Sequence, residues 1–294
     1  MLRSVARWHL YISFFSPPSK GKNNNIKSDN KSNHHLKVYY QNVRGIRTKL
    51  SQLMKSVSVC DHDVLCLTET WLSKDISFSE LQLDSYSVYR GDRSVATSNC
   101  LRGGGVMVAV KGSIASNQVI IPYDSIEQVF VNLKIGNHEY VFGSVYIPPN
   151  STSNIYEVHC SSIDFVTHHF PTATICIAGD FNLPHVNWIN EQYGVRATGN
   201  VGANAELISN QYAFSNMFQI NTIANVQNVF LDLVFTTNPE VITTLADDVL
   251  LSCDNYHPAI CFEFVTQEIP DNNVETHIVS VSYTHLRAHE TDSY

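Results

Sequence analysis

At 294 residues the chain has room for one large domain or two small ones, and with 44% hydrophobic and 16% charged residues it can bury a sizeable core. A formal net charge of -8 excludes nucleic-acid binding driven by overall charge, and leaves only binding through a local basic patch or a held divalent cation. No apolar run approaches the roughly 18 residues of a membrane span, and seven cysteines without a C-x-x-C pair, beside 13 histidines without zinc-type spacing, point to reduced thiols in an intracellular protein.

Residues 1–35 are expected to lie outside the fold. Arg3 and Arg7 precede a short apolar stretch, Trp8 to Phe15, too brief and too polar for more than a weak targeting signal. Lys20 to His35 is rich in Asn, Lys and Ser, the composition of a disordered linker. Packed structure is expected from Leu36. Leu36 to Tyr40 reads as a strand ending at Gln41-Asn42-Val43-Arg44-Gly45, with the turn at Gly45. Lys49 to Val59 has helical spacing, with Leu50, Leu53, Met54 and Val57 on one face. Val64 to Leu67 is a buried strand that delivers Thr68-Glu69-Thr70-Trp71 at its end. A carboxylate there is either a surface residue opening a loop or a costly buried charge that needs a partner such as a cation.

Tyr86 to Arg90 is a short strand, followed by a polar loop. Arg102-Gly103-Gly104-Gly105 then opens the strand Val106 to Val110. The glycine run is not a P-loop, because the Lys-Ser/Thr pair is missing and a strand follows where a helix is required. Ile126–Ile135 and Tyr140–Tyr146 are strands joined by a Gly136-Asn137 hairpin turn, and the second ends at Tyr146-Ile147-Pro148-Pro149. Ile155 to His169 is a helix.

Ile175 to Ala178 is a short buried strand, after which Gly179 is expected to turn the backbone and present Asp180 and Asn182. If that stretch stays extended, both side chains point the same way and could orient a water and a phosphate; an Asx-rich turn is the plainer alternative. A long loop is expected from Asn187 to Asn204, a helix over Ala205–Asn216, a strand over Leu231–Phe235 carrying Asp232, and a last strand over Ala259–Phe264 preceded by Asp254-Asn255-Tyr256-His257-Pro258. Alternating strands and helices with hairpin pairs suggest a layered α/β domain with mixed sheets. Residues 266–280 read as a linker. Residues 281–294, with Val281-Ser282-Tyr283-Thr284-His285-Leu286-Arg287-Ala288-His289-Glu290-Thr291, resemble a translated sequencing adaptor, so His285, His289 and Glu290 are set aside as metal candidates and the natural sequence is expected to depart near Ser280.

Asn42, Glu69, Tyr146, Asp180, Asn182 and the pair Asp254/His257 share one property: each sits at or just after an apolar strand, where α/β sheets gather their ligand sites. Carboxylate, amide, phenol and imidazole are also the set needed to hydrolyse a phosphodiester with one hard cation.

In the order and spacing of Gln41–Gly45, Thr68–Leu72, Arg102–Val106, Tyr146–Pro149, Gly179–Asn182, Leu231–Phe235 and Asp254–Pro258, residues 36–265 resemble the exonuclease–endonuclease–phosphatase superfamily, and within it the apurinic-type endonuclease domain of non-LTR retrotransposons. The resemblance implies a four-layer α/β/β/α sandwich with two mixed sheets and a DNA endonuclease that leaves a 3′-hydroxyl nick. It implies Mg²⁺ or Mn²⁺ on Glu69, with Asn42 helping to position the metal and Asp232 near the metal or the histidine. Asp180 would orient or deprotonate water, Asn182 and Tyr146 would hold the phosphate, His257 would contact a nonbridging oxygen, and Asp254 would fix the tautomer of His257. Arg44 stands where repair-type relatives carry a metal-assisting aspartate, and is expected on the DNA backbone. Asp254 and His257 are separated by two residues, where many relatives have the pair adjacent. The resemblance further implies a reverse transcriptase domain downstream in the natural element and, to reach chromosomal DNA, a place in the nucleus or cytoplasm. An inactive element fragment or nucleic-acid-binding module is one competing reading. The other is a superfamily phosphomonoesterase, disfavoured because the loop after Asn182 lacks the Trp-Cys-Asp-Arg type of segment.

Overall fold

The computed structural model describes residues 33–267 apart from Asn99 and Leu101; the N-terminal segment before Asn33 and the adaptor-like tail lie outside the described residues. The elements in chain order are β1 (Asn33–Asn42), a 3-10 turn (Arg47–Lys49) running into α1 (Leu50–Val59), β2 (Val64–Thr68), the single turn α2 (Phe78–Leu81), β3 (Tyr86–Gly91), β4 (Val106–Lys111), β5 (Ser116–Val119), β6 (Glu127–Ile135), β7 (His138–Tyr146), α3 (Ser153–His169), β8 (Thr174–Asp180), β9 (Val186–Glu191), β10 (Gly194–Gly199), α4 (Ala203–Phe214), β11 (Phe218–Gln219), β12 (Asp232–Thr236), β13 (Thr243–Leu245) and β14 (Ile260–Gln267). Two sheets of six strands result, in the orders β13-β14-β1-β2-β4-β3 and β11-β12-β8-β7-β6-β5, with β9 and β10 as a separate hairpin. Each large sheet is mixed, β1–β2 being parallel in one and β7–β8 in the other.

Alternation along the strands sorts side chains into layers. Val38, Tyr40, Val64 and Cys66 of the first sheet meet Phe142, Cys176, Ala178 and Val234 of the second in the core between the sheets. Tyr39, Leu65 and Leu67 point the other way and pack under α1 through Leu53 and Val57. Val141, Ile175, Ile177 and Phe235 likewise pack under α3 and α4, through Tyr156, Ile163, Ile208 and Tyr212. The result is the four-layer α/β/β/α sandwich expected from the sequence.

Several local expectations are corrected. β1 begins at Asn33, because Asn33 to Leu36 pair with Phe264 to Gln267 of β14. Gly179 does not turn the chain. It lies inside β8, and a Cβ there would come within 2.3 Å of the Val145 carbonyl oxygen. The glycine therefore allows β7 to approach closely, and Asp180 becomes the last residue of the strand. The long loop after Asn187 is instead the hairpin β9–β10, running from Val186 paired with Gly199 to Glu191 paired with Gly194. Gly194 has φ 138° and sits where a Cβ would come within 2.8 Å of the Ala213 Cα, so only glycine lets the hairpin lie on α4. The short pieces α2, β5, β11 and β13 were not expected; runs of two to four residues carry too little periodicity to be read from sequence.

Candidate active site

The position of the site follows from strand parity. In β1 the residues facing the other sheet are Val38 and Tyr40, and Asn42 continues the series. In β8 they are Cys176 and Ala178, continued by Asp180; in β7 the series ends at Tyr146, and in β12 Asp232 belongs with Val234. Within the second sheet Asp180 is paired with Asp232 on one side and Tyr146 on the other. Asn42 meets them from the first sheet, its Nδ2 donating to Asp180 Oδ2 at 3.0 Å and to Glu69 Oε1 at 3.1 Å. Five side chains that are scattered in sequence thus close one end of the inter-sheet core.

Three loops are stitched together over this end. The Val43, Gly45 and Ile46 amides donate to the Thr68, Glu69 and Thr70 carbonyls, and the Thr70 and Trp71 amides donate to Gly105 and Gly104. The stitching holds backbone conformations that side chains avoid: φ is 42° at Arg44, 51° at Glu69, 53° at Trp71 and 48° at Asn182. Residues forced into sparsely populated backbone regions cost about 1–3 kcal/mol each and gather at functional sites. The glycine run joins the same device. Gly105 donates to the buried Glu127 carboxylate, which is ion-paired at 2.5 Å with Arg93, and a Cβ at Gly104 would collide with both side chains. Arg93 in turn lies 5.8 Å from the centre of the Tyr146 ring.

The electrostatics at this end are strained. Asp180 is 1% exposed. Burial, and then the charge of Asp232, push its carboxyl well above the usual carboxylate range. Burial and the charges of Glu69 and Asp180 push the Tyr146 phenol up as well. Burial opposes the charge of His257, but Asp232, Asp180 and Asp254 outweigh it and hold the imidazole up to about 9. His257 Nδ1 lies 2.9 Å from Asp232 Oδ2 and 3.9 Å from Asp180 Oδ2.

Four role expectations change with these contacts. Asp232, not Asp254, orients His257, and Tyr40 fixes Asp232 in turn by donating its hydroxyl at 2.6 Å. Asp254 accepts the Tyr256 and His257 backbone amides, shaping the turn, and is ion-paired with Arg44. Two intervening residues place Asp254 at the start of that turn, too early in it to reach the ring. Asn42 presents its amide N–H groups to the carboxylates, because its Oδ1 accepts the Arg44 amide at 3.2 Å. In this arrangement it braces the acidic pair. Asn182 does not share a direction with Asp180 along an extended backbone; its left-handed φ turns it aside, and its Nδ2 donates to the Ile147 carbonyl at 2.9 Å. Its backbone amide donates to Asp180 Oδ1 at 3.1 Å, so the pair is built as an Asx turn.

Glu69, Asp180 and His257 each offer one ligand atom, all within 4.8 Å of one another. Two carboxylates, one of them buried and pushed toward its neutral form, are the donor set that a hard divalent cation relieves. Among the described residues no lysine or arginine forms an ion pair with Glu69, Asp180 or Asp232. The residues present therefore fit a divalent metal, with Glu69 and Asp180 as its oxygen ligands.

The sequence reading overlooked three contributors. Tyr40 holds Asp232 across the sheets, and its parity with Asn42 was the available signal. Trp71 donates its indole N–H to Glu69 Oε2 at 3.1 Å. Buried Gln41 donates to the Leu251 carbonyl and accepts from the Leu251 amide and the Tyr39 hydroxyl, pinning the segment that leads to His257.

Residues 140–260, the span from β7 to the start of β14, match the family described as endonuclease-reverse transcriptase. That stretch contains Tyr146, Asp180, Asn182, Asp232, Asp254 and His257, while Asn42 and Glu69 join them from the other sheet. The fold is similar to that of the endonuclease domain of TRAS1, a telomere-specific non-LTR retrotransposon, with 13% identity, a TM-score of 0.54, and coverage of 79% of this chain and 99% of that one. It is also similar to the AP endonuclease LMAP from Leishmania major, with 14% identity, a TM-score of 0.56, and coverage of 79% and 88%. At such identities the likeness establishes the sandwich itself. No curated protein matches the chain.

Proposed function

We propose that this protein is a divalent-metal-dependent endonuclease that hydrolyses a DNA phosphodiester and leaves a 3′-hydroxyl. The observation that carries the reading is the convergence of Glu69, Asp180 and a His257–Asp232 pair at one end of the paired sheets, with the acidic groups there short of cations. The two similar structures are both endonucleases by their names, which supports the same chemistry here. Mg²⁺ or Mn²⁺ held by Glu69 and Asp180 would supply charge to the scissile phosphate. Asp180 orients the attacking water and takes its proton. The imidazolium of His257, fixed by Asp232, faces the charge that grows on a nonbridging oxygen, with the Tyr146 hydroxyl as a neutral donor beside it. The leaving 3′ oxygen takes a proton from solvent and departs as the hydroxyl, and the phosphate stays on the 5′ side. Arg44, half-exposed and ion-paired with Asp254, would contact the DNA backbone. The nucleus or cytoplasm is the proposed location, as access to chromosomal DNA requires.

Nicking of supercoiled plasmid by the purified protein tests the reading. Relaxed circles whose nicks a polymerase extends without prior end repair are expected with Mg²⁺, and none in excess chelator. Release of inorganic phosphate from a phosphomonoester with intact plasmid would overturn it, and so would plasmid binding without cleavage at any metal concentration.

A further inference from the structure

A cavity of about 1080 Å³ lies beside the candidate site on the Glu69 flank, lined by Gly45, Arg47, Trp71, Lys74, Arg102 and Gly103 among others. Trp71 is its shared wall with the site. The indole is 45% exposed yet held, with its N–H on Glu69 and one side of the ring against Gly45, where a Cβ would come within 2.7 Å of the ring. Gly45 and Gly103 carry positive φ of 92° and 88°, conformations that side chains resist, and the missing Cβ at Gly45 lets the ring seat against the backbone. A large flat apolar surface is thus fixed in place at the mouth of a catalytic centre.

The charges around it are as distinctive. Of the lining residues, Arg93 is ion-paired with Glu127, and Asp92 with Arg90. Arg47, Lys74 and Arg102 are in no ion pair among the described residues, and all three are exposed. Asp75 is the remaining carboxylate of the lining. In a chain of formal charge -8, three uncommitted cations around one aromatic face form a local basic concavity.

We propose that this cavity is a subsite for unpaired nucleotides. It takes a single-stranded segment of DNA next to the cleaved bond, with one base stacked on Trp71 and the neighbouring phosphates on Arg47, Lys74 and Arg102. An aromatic platform inside a basic groove is the chemistry that holds single strands without reading their sequence. A base within a duplex is stacked on both faces and has no face to offer a ring in a cavity wall, so the subsite favours substrates that are unpaired or opened beside the scissile phosphate. The proposal rests on the endonuclease reading for the identity of its ligand, and its binding test does not need cleavage.

The test uses the full chain and fluorescein-labelled oligonucleotides read by anisotropy in chelator: a single strand, a duplex, and a duplex with a short internal unpaired stretch. The protein is expected to bind the first and third at least about fivefold more tightly than the duplex, the lower end of what one stacked base contributes. Trp71→Ala should erase that preference and Trp71→Phe should keep most of it, although both lose the hydrogen bond to Glu69. If Trp71→Ala fails to fold, exposed charge variants carry the test. Replacing Arg47, Lys74 and Arg102 together by Gln should reduce the slope of log affinity against log salt by about two for the single strand. An unchanged preference in folded Trp71→Ala, an unchanged salt slope in the triple variant, or a wild-type protein that prefers the duplex would each overturn the proposal. Metal-dependent nicking with no preference for unpaired DNA would leave the endonuclease reading standing and remove the subsite. A Trp71-dependent preference without nicking in any metal would do the reverse.

Discussion

The two ends of the paired sheets handle acidic residues in opposite ways. At the end away from the site, Asp61 and Asp63 are met by lysines: Lys37 lies 2.6 Å from Asp61, and Lys111 lies 3.6 Å from Asp61 and 3.4 Å from Asp63. Asp61 is exposed and both lysines are partly exposed, while Asp63 is buried and also accepts the Lys37 backbone amide. At the site end Asp180 and Asp232 are buried side by side, Glu69 stands next to them, and the cationic partner is one histidine. The first arrangement is a balanced surface network that trims the ends of strands. The second keeps like charges together in a low-dielectric setting, which destabilises the fold and stays only where something else is bound. Function is therefore placed by the imbalance of charge, not by the number of charged groups.

The sharpest way to break this contrast is to neutralise the acidic centre. Asp180→Asn should lower the nicking rate by a hundredfold or more, because the base is gone. The same change should raise the urea midpoint of the metal-free protein, because it removes the charge beside Asp232 and keeps an oxygen for the Asn182 amide, although its NH2 replaces the oxygen that accepts from Asn42 Nδ2. A variant that is both inactive and less stable than the parent would show that Asp180 is not under strain. Next in size is the metal. Mg²⁺ should raise the melting temperature of the wild type, since the folded site binds it and the unfolded chain hardly does. Glu69→Gln should diminish that rise and increase the Mg²⁺ needed for half-maximal nicking; an unchanged metal dependence would remove Glu69 from the ligand set.

The two buried histidines sharpen the comparison by titration. His159 lies between Gln128 and Tyr212 with no carboxylate in contact, and burial drives its imidazole down to about 3. Its folded form is neutral while the unfolded chain takes up a proton below about 6.5, so stability is lost as pH falls from about 6.5 toward about 3. At pH 5 the loss is about 2 kcal/mol by urea denaturation, and His159→Gln should flatten it. His257 behaves in the opposite sense in the metal-free protein: held up to about 9, it contributes stability that is complete below about 6.5 and fades as pH rises through about 9. The smallest effect is expected at the balanced end. Lys37→Ala should cost no more than about 1 kcal/mol, shrinking further in salt, and should leave nicking unchanged.

Short apolar strands alternating with helices carried a layered α/β domain with mixed sheets, and the family resemblance borne by the ordered motifs from Gln41 to Pro258 implied the four-layer sandwich. Strand-end placement picked out Asn42, Glu69, Tyr146, Asp180, Asn182 and the pair Asp254/His257. Those signals are local: a strand declares itself by its period, and its end by the first polar residues after it. What the tertiary structure alone decided is which side chain answers which. Asp232 reaches His257 because β12 pairs with β8 in a register that sets Asp232 beside Asp180, and Tyr40 reaches Asp232 only across the gap between sheets. Asp254, three residues from His257 in the chain, is drawn to Arg44 instead. The resemblance assigned the histidine's carboxylate to Asp254, but contacts between strands and sheets depend on register and layer spacing, which no single stretch of sequence contains.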